Sequence, residues 1–171
     1  MAGTTTNNGW DYPTSTDYVK DGATAIQTLA DDIDTSVGTG LLAWTSYTPT
    51  LTASTTNPTI GNSVWDAAYC KIGKTVHVRI KLTLGSTFSA GSGAYIFSLP
   101  VTPKSSTEYA AAGIYVDTSA SNVWRIVGRL VGSTINRSYY ADGGASILTN
   151  AAPVIPANTD IYIYTFTYEA A

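Results

Sequence analysis

The sequence contains very few of the residues that support disulfide or metal chemistry. Cys70 is its only cysteine and His77 its only histidine, so an intrachain disulfide is impossible and a zinc site of Cys and His ligands is not expected. The chain must therefore gain its stability from packing and from association. We expect Cys70 to be a small buried residue of a strand, and His77 to be a satisfied or solvated strand residue with no catalytic role.

Charged residues and long apolar runs are also scarce. Only 12% of the residues are charged, about half the usual share, so hydroxyl and amide groups supply most of the polar surface. No stretch approaches the ~20 apolar residues of a membrane span, and the first residues lack the basic and apolar regions of a secretory signal. We therefore expect no membrane insertion and a soluble chain that is made in a cytoplasm.

The motifs that carry common enzyme chemistry are missing from the sequence as well. It has no G-x-S-x-G elbow, and no phosphate-binding glycine motif opens a helix. The acids Asp31, Asp32 and Asp34 lack the spacing of a calcium loop. We expect no cofactor, no metal and no enzymatic activity. The alternative is a small glycan hydrolase or esterase whose carboxylates converge only in three dimensions.

The few charges divide the chain into two parts. Residues 1–40 hold six acids and one base, a net charge of −5, whereas residues 41–171 hold eight bases and six acids, a net charge of +2. The acidic part argues against an N-terminal arm that binds nucleic acid, and the bases of the other part are scattered. Nucleic acid is therefore not an expected partner.

What the sequence does contain is a change of period near Trp44. Residues 16–37 predict one amphipathic helix, with Ser15 or Thr16 as its N-cap and Gly38 as its stop. Its apolar stripe consists of Val19, Ile26, Leu29, Ala30, Ile33 and Val37. A stripe this narrow suits a seam between copies of the chain, and it permits either a dimer or a trimer. The alternative is that the helix packs on its own β-domain.

The segment before this helix is polar, with three apolar points at Trp10, Tyr12 and Pro13. A lone exposed tryptophan is costly and tryptophan favours interface centres, so we predict an anchor that docks on another protein of a particle. A frayed terminus is the alternative. The chain then divides into an anchor tail (1–15), an oligomerising helix (16–40) and a β-head (41–171).

Almost everything after residue 44 predicts strands and turns. The clearest strand is 75–84, where apolar and polar residues alternate strictly, and further strands are predicted at 46–53, 64–72, 94–99, 109–116, 123–131, 136–140, 147–148 and 160–168. Short strands with turns every 8–12 residues predict an antiparallel β-sandwich or jelly roll. Because both faces of 160–168 look partly buried, we expect this strand in the middle of a sheet, with a neighbouring subunit on its second face.

The loops favour binding over catalysis. Residues 86–93, 118–122 and 139–144 are rich in Ser, Gly, Asn and Tyr, which make adaptable contacts. Tyr139 and Tyr140 are the candidates for stacking on the sugars of a glycan. Loops that are merely solvated are the alternative.

Two parts of the sequence resemble known virion proteins. The run from Gly9 to Ala23, GWDYPTSTDYVKDGA, and the following IQTLA resemble the start of tailed-bacteriophage minor tail, tail-fibre or head-fibre and decoration proteins. The head resembles their C-terminal modules through YTPTL at 47–51, the Gly61-Asn62 turn and YCKIGKTVHV at 69–78. The resemblance covers most of the chain.

This resemblance implies a homotrimer on the surface of a virion, assembled in the host cytoplasm. It implies an N-terminal attachment region, for which capsid or tail proteins are the expected partners, and a β-head that faces outward. Two roles for the head stay open: it decorates the capsid, or it binds host cell-surface glycans from a tail position. The chain departs from longer family members because it passes directly from helix to head without a shaft. The alternatives are a tail receptor-binding protein and a free lectin-like module.

Overall fold

The computed structural model describes residues 3–6, 9–37, 43–105, 107–132, 134–141 and 145–171. The chain is mainly β, as predicted, and the described residues contain one α-helix. It divides into two compact units, Met1–Ala43 and Trp44–Ala171. The first unit carries the helix and the second is the β-head.

The first unit begins with a small hairpin. Strand β1 (Gly3–Thr4) pairs with the antiparallel β2 (Asp11–Tyr12), and the N–H of Thr5 donates to the Trp10 carbonyl at 2.8 Å. The prediction of an irregular tail over residues 1–15 is therefore wrong. The short polar segment pairs with itself and thereby satisfies its backbone N–H and C=O groups. Its sequence has no alternating apolar pattern that would have indicated a strand.

The helical part of this unit is shorter than predicted. A 3₁₀ turn at Val19–Asp21 leads into α1, the α-helix Gly22–Thr35. Fourteen residues span about 21 Å, and an isolated helix of this length is marginal in water. The predicted stop at Gly38 lies outside the described residues.

A local turn explains why the helix does not start at residue 16. The N–H of Thr14 donates to Asp17 Oδ2 at 2.8 Å, which closes a turn over these residues, and Tyr18 keeps an extended backbone. The prediction of Ser15 or Thr16 as the N-cap is therefore wrong. The Asp17 carboxylate, which could also favour a first helical turn, stabilises the turn before the helix.

Ten strands form the second unit among its described residues: β3 (Thr45–Ser46), β4 (Leu51–Ala53), β5 (Val64–Ile72), β6 (Thr75–Thr83), β7 (Tyr95–Ser98), β8 (Tyr109–Asp117), β9 (Asn122–Val131), β10 (Thr134–Ala141), β11 (Ala145–Ile147) and β12 (Ile161–Glu169). They build one antiparallel sheet in the order β3-β5-β6-β12-β8-β9-β10-β7-β4, with β11 beside β10. The prediction that the last strand lies in the middle of a sheet is confirmed, because β12 pairs with β6 and β8.

The sheet is strongly curled because its two edge strands follow each other in the chain. Only residues 47–50 separate β3 from β4, and such a link spans at most about 17 Å. A flat sheet of nine strands in this order would place its edges about 38 Å apart. The predicted strand at 46–53 is therefore wrong: Pro49 lies in its middle, and the two halves belong to opposite edges.

The core fills the inside of the curl and is largely aromatic. Phe97 of β7 lies 5.3 Å from Tyr164 of β12, between ring centroids, although three strands separate β7 from β12 in the sheet. The alternating residues of β6 line the same core with Val76, Val78, Ile80 and Leu82, all buried. This burial confirms the predicted alternation of 75–84.

The head has two distinct ends. The connections 54–63, 84–94 and 118–121 and the start of β12 lie at one end, which we call the loop end, because β5, β6, β12, β8 and β9 are in register there. The turn at Gly73, with a φ of +58°, lies at the other end. Trp44 precedes β3, which pairs with β5 at Tyr69 and runs towards the loop end. The chain therefore enters the head on the side away from the loop end.

Candidate functional site

The helix presents an apolar stripe that its own chain leaves uncovered. No residue of α1 is buried. Val19 is 97% exposed and Ile26 62% exposed, and Ile33, Val37 and Ala30 are exposed as well. Five of the six residues of the predicted seam therefore lie along one exposed side of the helical segment. These exposed aliphatic residues form one apolar array along the helical segment.

Leu29 does not belong to this stripe. The partly buried positions of the helix are Gly22, Ala25, Leu29, Asp32 and Ser36, which lie about 100° around the helix from the exposed stripe at 3.6 residues per turn. The N-terminal hairpin lies against this second side: β2 packs on α1, and the Trp10 indole contacts Ser36. Leu29 therefore lies on the partly buried side of the helix, and its place in a seam between chains stays a prediction.

The predicted particle anchor lies against the same side of the helix. The indole Nε1 of Trp10 donates to Ser36 Oγ at 3.2 Å, and the Trp10 side chain is partly buried. Pro13 is partly buried and lines an open cavity of about 640 Å³ beside Tyr18, while Tyr12 is exposed. The premise of a lone exposed tryptophan is therefore wrong. Within the first unit, Tyr12 remains the most accessible residue of the predicted anchor.

The loop 86–93 is fastened to its neighbour rather than free. Asn62 Oδ1 accepts hydrogen bonds from the Thr87 N–H at 2.9 Å and the Thr87 hydroxyl at 2.8 Å, and Asn62 Nδ2 donates to Ser86 Oγ at 3.1 Å. Thr59 and Ser89 form a bridge a little further along. Residues 54–63 and 84–94 contain no charged side chain. The loop end thus offers a preorganised surface of hydroxyl and amide groups.

Tyr139 and Tyr140 do not form one platform. Neighbouring residues of a strand point to opposite faces, and Tyr140 packs against the core. Tyr139 therefore lies on the outer face of β10, where Val127 and Ile147 are its cross-strand partners. Of the two candidates for stacking on sugars, only Tyr139 therefore lies on the outer face, and residues 142–144 of that segment lie outside the described residues.

The turn at 118–121 is held by a buried carboxylate that sequence reasoning missed. Asp160 is fully buried, and its side chain accepts hydrogen bonds from the Tyr115 hydroxyl at 2.6 Å and from the N–H groups of Ala157 at 2.8 Å and Thr118 at 3.0 Å. These bonds connect the β8–β9 turn to the start of β12. The partners Tyr115 and Thr118 are more than forty residues away from Asp160 in the sequence, so no local signal pointed to this group.

A second carboxylate holds the same turn from inside. Asp117 Oδ1 accepts from the Ser119 hydroxyl at 2.7 Å and from the Ala120 N–H at 3.0 Å. These hydrogen bonds lower the pKa of the Asp117 carboxyl from its ordinary value of 3.8. Ser121 takes a positive φ of 55° at the end of the turn. Both carboxylates are thus engaged with donors that belong to the fold.

The outer face of the central strands is unusually apolar at the loop end. One row across five strands consists of Val64, Thr83, Ile161, Val116 and Val123, and the next consists of Asp66, Lys81, Ile163, Ile114 and Arg125. We call these two rows the Ile163 face. Val64 is 65% exposed and Val123 60% exposed, whereas Ile161 and Ile163 are partly buried. No described residue buries this face completely.

Two of the residues considered for chemistry, His77 and Cys70, are cross-strand neighbours on β6 and β5. His77 is exposed on β6, with Nδ1 2.9 Å from Thr167 Oγ1, and Cys70 is buried in β5 as predicted. Across the described ranges, no three His, Cys, Asp or Glu side chains converge in a way that could hold a metal ion. Among the same residues, no helix has the length and apolarity that crossing a membrane requires.

Comparison of the chain with models of known protein families, with curated proteins and with solved structures finds no match.

Proposed function

We propose that this protein is a non-enzymatic, homotrimeric component of a virion surface, a short fibre or decoration spike. Its N-terminal segment attaches to capsid or tail proteins, and its β-head, a curled form of the predicted sandwich or jelly roll, projects outward. The observation that carries this proposal is the uncovered stripe of α1. Apolar side chains at Val19, Ile26 and Ile33 remain exposed although the hairpin covers the neighbouring side.

The spacing of the exposed residues supports three chains. Without Leu29, which is partly buried, the exposed apolar residues are separated alternately by four and three positions: Val19, Ala23, Ile26, Ala30, Ile33 and Val37. This is a heptad in which Ile26 and Ile33 occupy d positions. Isoleucine at d is typical of trimers and tetramers, whereas dimers prefer leucine there.

The two ends of the head support an outward orientation. Trp44, where the head begins, lies on the side of the head away from the loop end, and in this proposal the loop end faces outward. That end carries the fastened, uncharged loops around Asn62 and Thr87. In this proposal the loop end contacts the surface of the host cell. A neutral glycan is a ligand that its hydroxyl and amide groups can bind.

The oligomeric state tests the proposal directly. Sedimentation and native mass spectrometry of the full chain are expected to give a trimer at micromolar concentration. Replacing Ile26 and Ile33 together by Asp should raise the dissociation constant at least tenfold, since each isoleucine contributes about 1.5–3 kcal/mol when buried. The control Asp31→Ala changes an exposed residue away from the stripe and should leave the trimer intact. A wild-type monomer contradicts the proposal.

The position on the particle is a separate test. Gold labelling of intact virions should find the protein on their surface, and a chain without residues 1–40 should fail to be incorporated. A free lectin-like module, the second candidate, would keep its glycan binding without these residues and would not be found on particles.

A further inference from the structure

The helix seam is too small to hold three chains together by itself. The apolar area of an aliphatic side chain follows from its burial energy of about 1.5–3 kcal/mol divided by about 25 cal/mol per Å². On this scale, the exposed parts of Val19, Ile26, Ile33 and Val37 together offer on the order of 300 Å² per copy. A stable specific interface buries about 800 Å² per partner. If the chain is a trimer, as proposed above, most of the interface must come from another surface.

The Ile163 face has the composition that such a surface needs. Its first row is entirely β-branched and uncharged, and its centre is Ile161 and Ile163 of the middle strand β12. An apolar row that crosses five strands on the outside of a sheet is unusual for a surface that stays in water. Its side chains also lie on strands that are fixed by pairing on both sides, so binding orders little additional chain.

The charges of the second row identify the partner as another copy of this chain. Asp66 lies at one end of this row and Arg125 at the other. Asp66 pairs with Arg79 at 2.9 Å, yet its side chain is 57% exposed. Among the described residues, Arg125 has no ion-pair partner. The row therefore carries the partly exposed carboxylate of Asp66, with Lys81 beside it, at one end and Arg125 at the other, at the same height along the strands.

A cyclic trimer joins two different ends of one surface, since its contacts are head-to-tail rather than self-paired. Rotation about an axis parallel to the strands keeps each row level. The Asp66 end of one head then meets the Arg125 end of the next, and Val64 in the first row meets Val123 of the neighbour. A two-fold axis parallel to the strands would also bring Asp66 of one head against Arg125 of the other, so the choice of three heads rests on the trimer proposed above.

We propose that the three heads of the trimer pack through the Ile163 face around an axis parallel to their strands, with Asp66 of each head against Arg125 of the next. The proposal rests on the trimer of the preceding subsection. It adds that the heads contribute to the trimer interface instead of projecting independently. The outer face of β12 then lies at the centre of the trimer.

Cysteine cross-linking of the full chain tests this arrangement. Val64 and Val123 are about 19 Å apart within one head, four strand spacings, which is too far for a disulfide. In the double variant Val64→Cys with Val123→Cys, mild oxidation should produce covalent trimers on a denaturing gel. Each single variant should give none, because the two ends differ. Both positions are exposed, so neither change threatens folding.

The outcomes separate this inference from the proposed function. The matched control Val64→Cys with Ser146→Cys uses an exposed position on β11 and should not form covalent trimers. A charge swap gives an independent measurement: Asp66→Arg or Arg125→Glu should weaken the trimer about tenfold, and the two together should restore it. A trimer that shows neither cross-links nor rescue overturns the packing of the heads but leaves the helix seam standing. A chain that sediments as a monomer overturns both.

Discussion

Two tyrosines of β12 differ in whether their hydroxyl group has a hydrogen-bond partner. Replacing each by Phe measures the effect of that difference on the stability of the head. Tyr162 and Tyr164 are both fully buried on the inner face. The Tyr164 hydroxyl donates to Ser138 Oγ at 2.6 Å, whereas the Tyr162 hydroxyl has no hydrogen-bond partner among the described residues. Replacing each by Phe removes the same oxygen from two sites of equal burial, so differences in ring packing largely cancel.

The expected effects have opposite directions. Tyr164→Phe removes a buried hydrogen bond and orphans the Ser138 hydroxyl, which costs about 1–3 kcal/mol of unfolding free energy. Tyr162→Phe removes a buried hydroxyl without a protein partner and keeps the ring contact with Tyr115 at 4.7 Å between centroids. An unpaired buried hydroxyl costs about 1–3 kcal/mol, so this change should be neutral or stabilising. We expect the two variants to differ by about 2 kcal/mol.

Urea unfolding followed by the fluorescence of Trp65 and Trp124 measures this difference. For a unit of this size, 2 kcal/mol also corresponds to a shift in Tm of roughly 8 °C. Ser138→Ala supplies the control, because it breaks the same bond from the other side and should cost a similar amount. The reasoning is refuted if Tyr162→Phe destabilises the head as much as Tyr164→Phe does.

Two further predictions concern buried ionisable groups. Asp160→Ala leaves three donors without their acceptor, so it should cost about 3 kcal/mol, whereas Glu108→Ala, at an exposed ion pair with Arg129, should cost at most about 1 kcal/mol; equal losses in thermal unfolding would contradict this account. The head should also unfold steeply in alkali. Burial raises the pKa of Tyr168 to about 12, and burial raises the pKa values of Tyr162 and Tyr164 as well. The folded state thus keeps protons that the unfolded state loses above pH 10. The stability is present below pH 10 and falls by about 1.4 kcal/mol per pH unit for each such tyrosine above it. Tyrosinate absorbance should rise together with the loss of structure, and a gradual rise in a folded head would contradict the prediction.

Regular strands were predictable because their residues alternate. In β6 the buried and exposed positions follow the period of two that the sequence displays, and the two hydrophobic faces of β12 indicated its central position. The strand at 46–53 was predicted wrongly because its residues look continuous. Nothing local shows that Ser46 and Leu51 pair with strands on opposite sides of the sheet.

The helix was predictable in kind but not in its partners. Periodicity located the apolar residues correctly, yet it could not assign Leu29 to the hairpin side, because the hairpin depends on pairing between Gly3 and Tyr12 that no motif announces. The start of the helix was predicted wrongly because the Asp17 carboxylate can stabilise either of two local structures, the first turn of a helix or the turn that precedes it. Propensity alone does not rank them.

The candidate site was predictable where it depends on exposure and not where it depends on distant contacts. The exposure of five of the six residues predicted for the seam follows from helical spacing alone. The opposite directions of Tyr139 and Tyr140 follow from strand geometry and should have been foreseen. Asp160 and the Ile163 face require knowledge of which strands are neighbours, and that order comes from packing of the whole sheet.

The central position of β12 also has a consequence for synthesis in the cell. Strands β5 and β6 lie on one side of β12, and β8, β9 and β10 lie on the other. Among the described strands, β12 is the one that pairs with both groups. A ribosome makes β12 after all the others, so the nascent head waits with two open edges until its final strand emerges. Translation pauses upstream of Asp160 should therefore favour aggregation, and chaperone demand should fall sharply once residue 169 has left the exit tunnel.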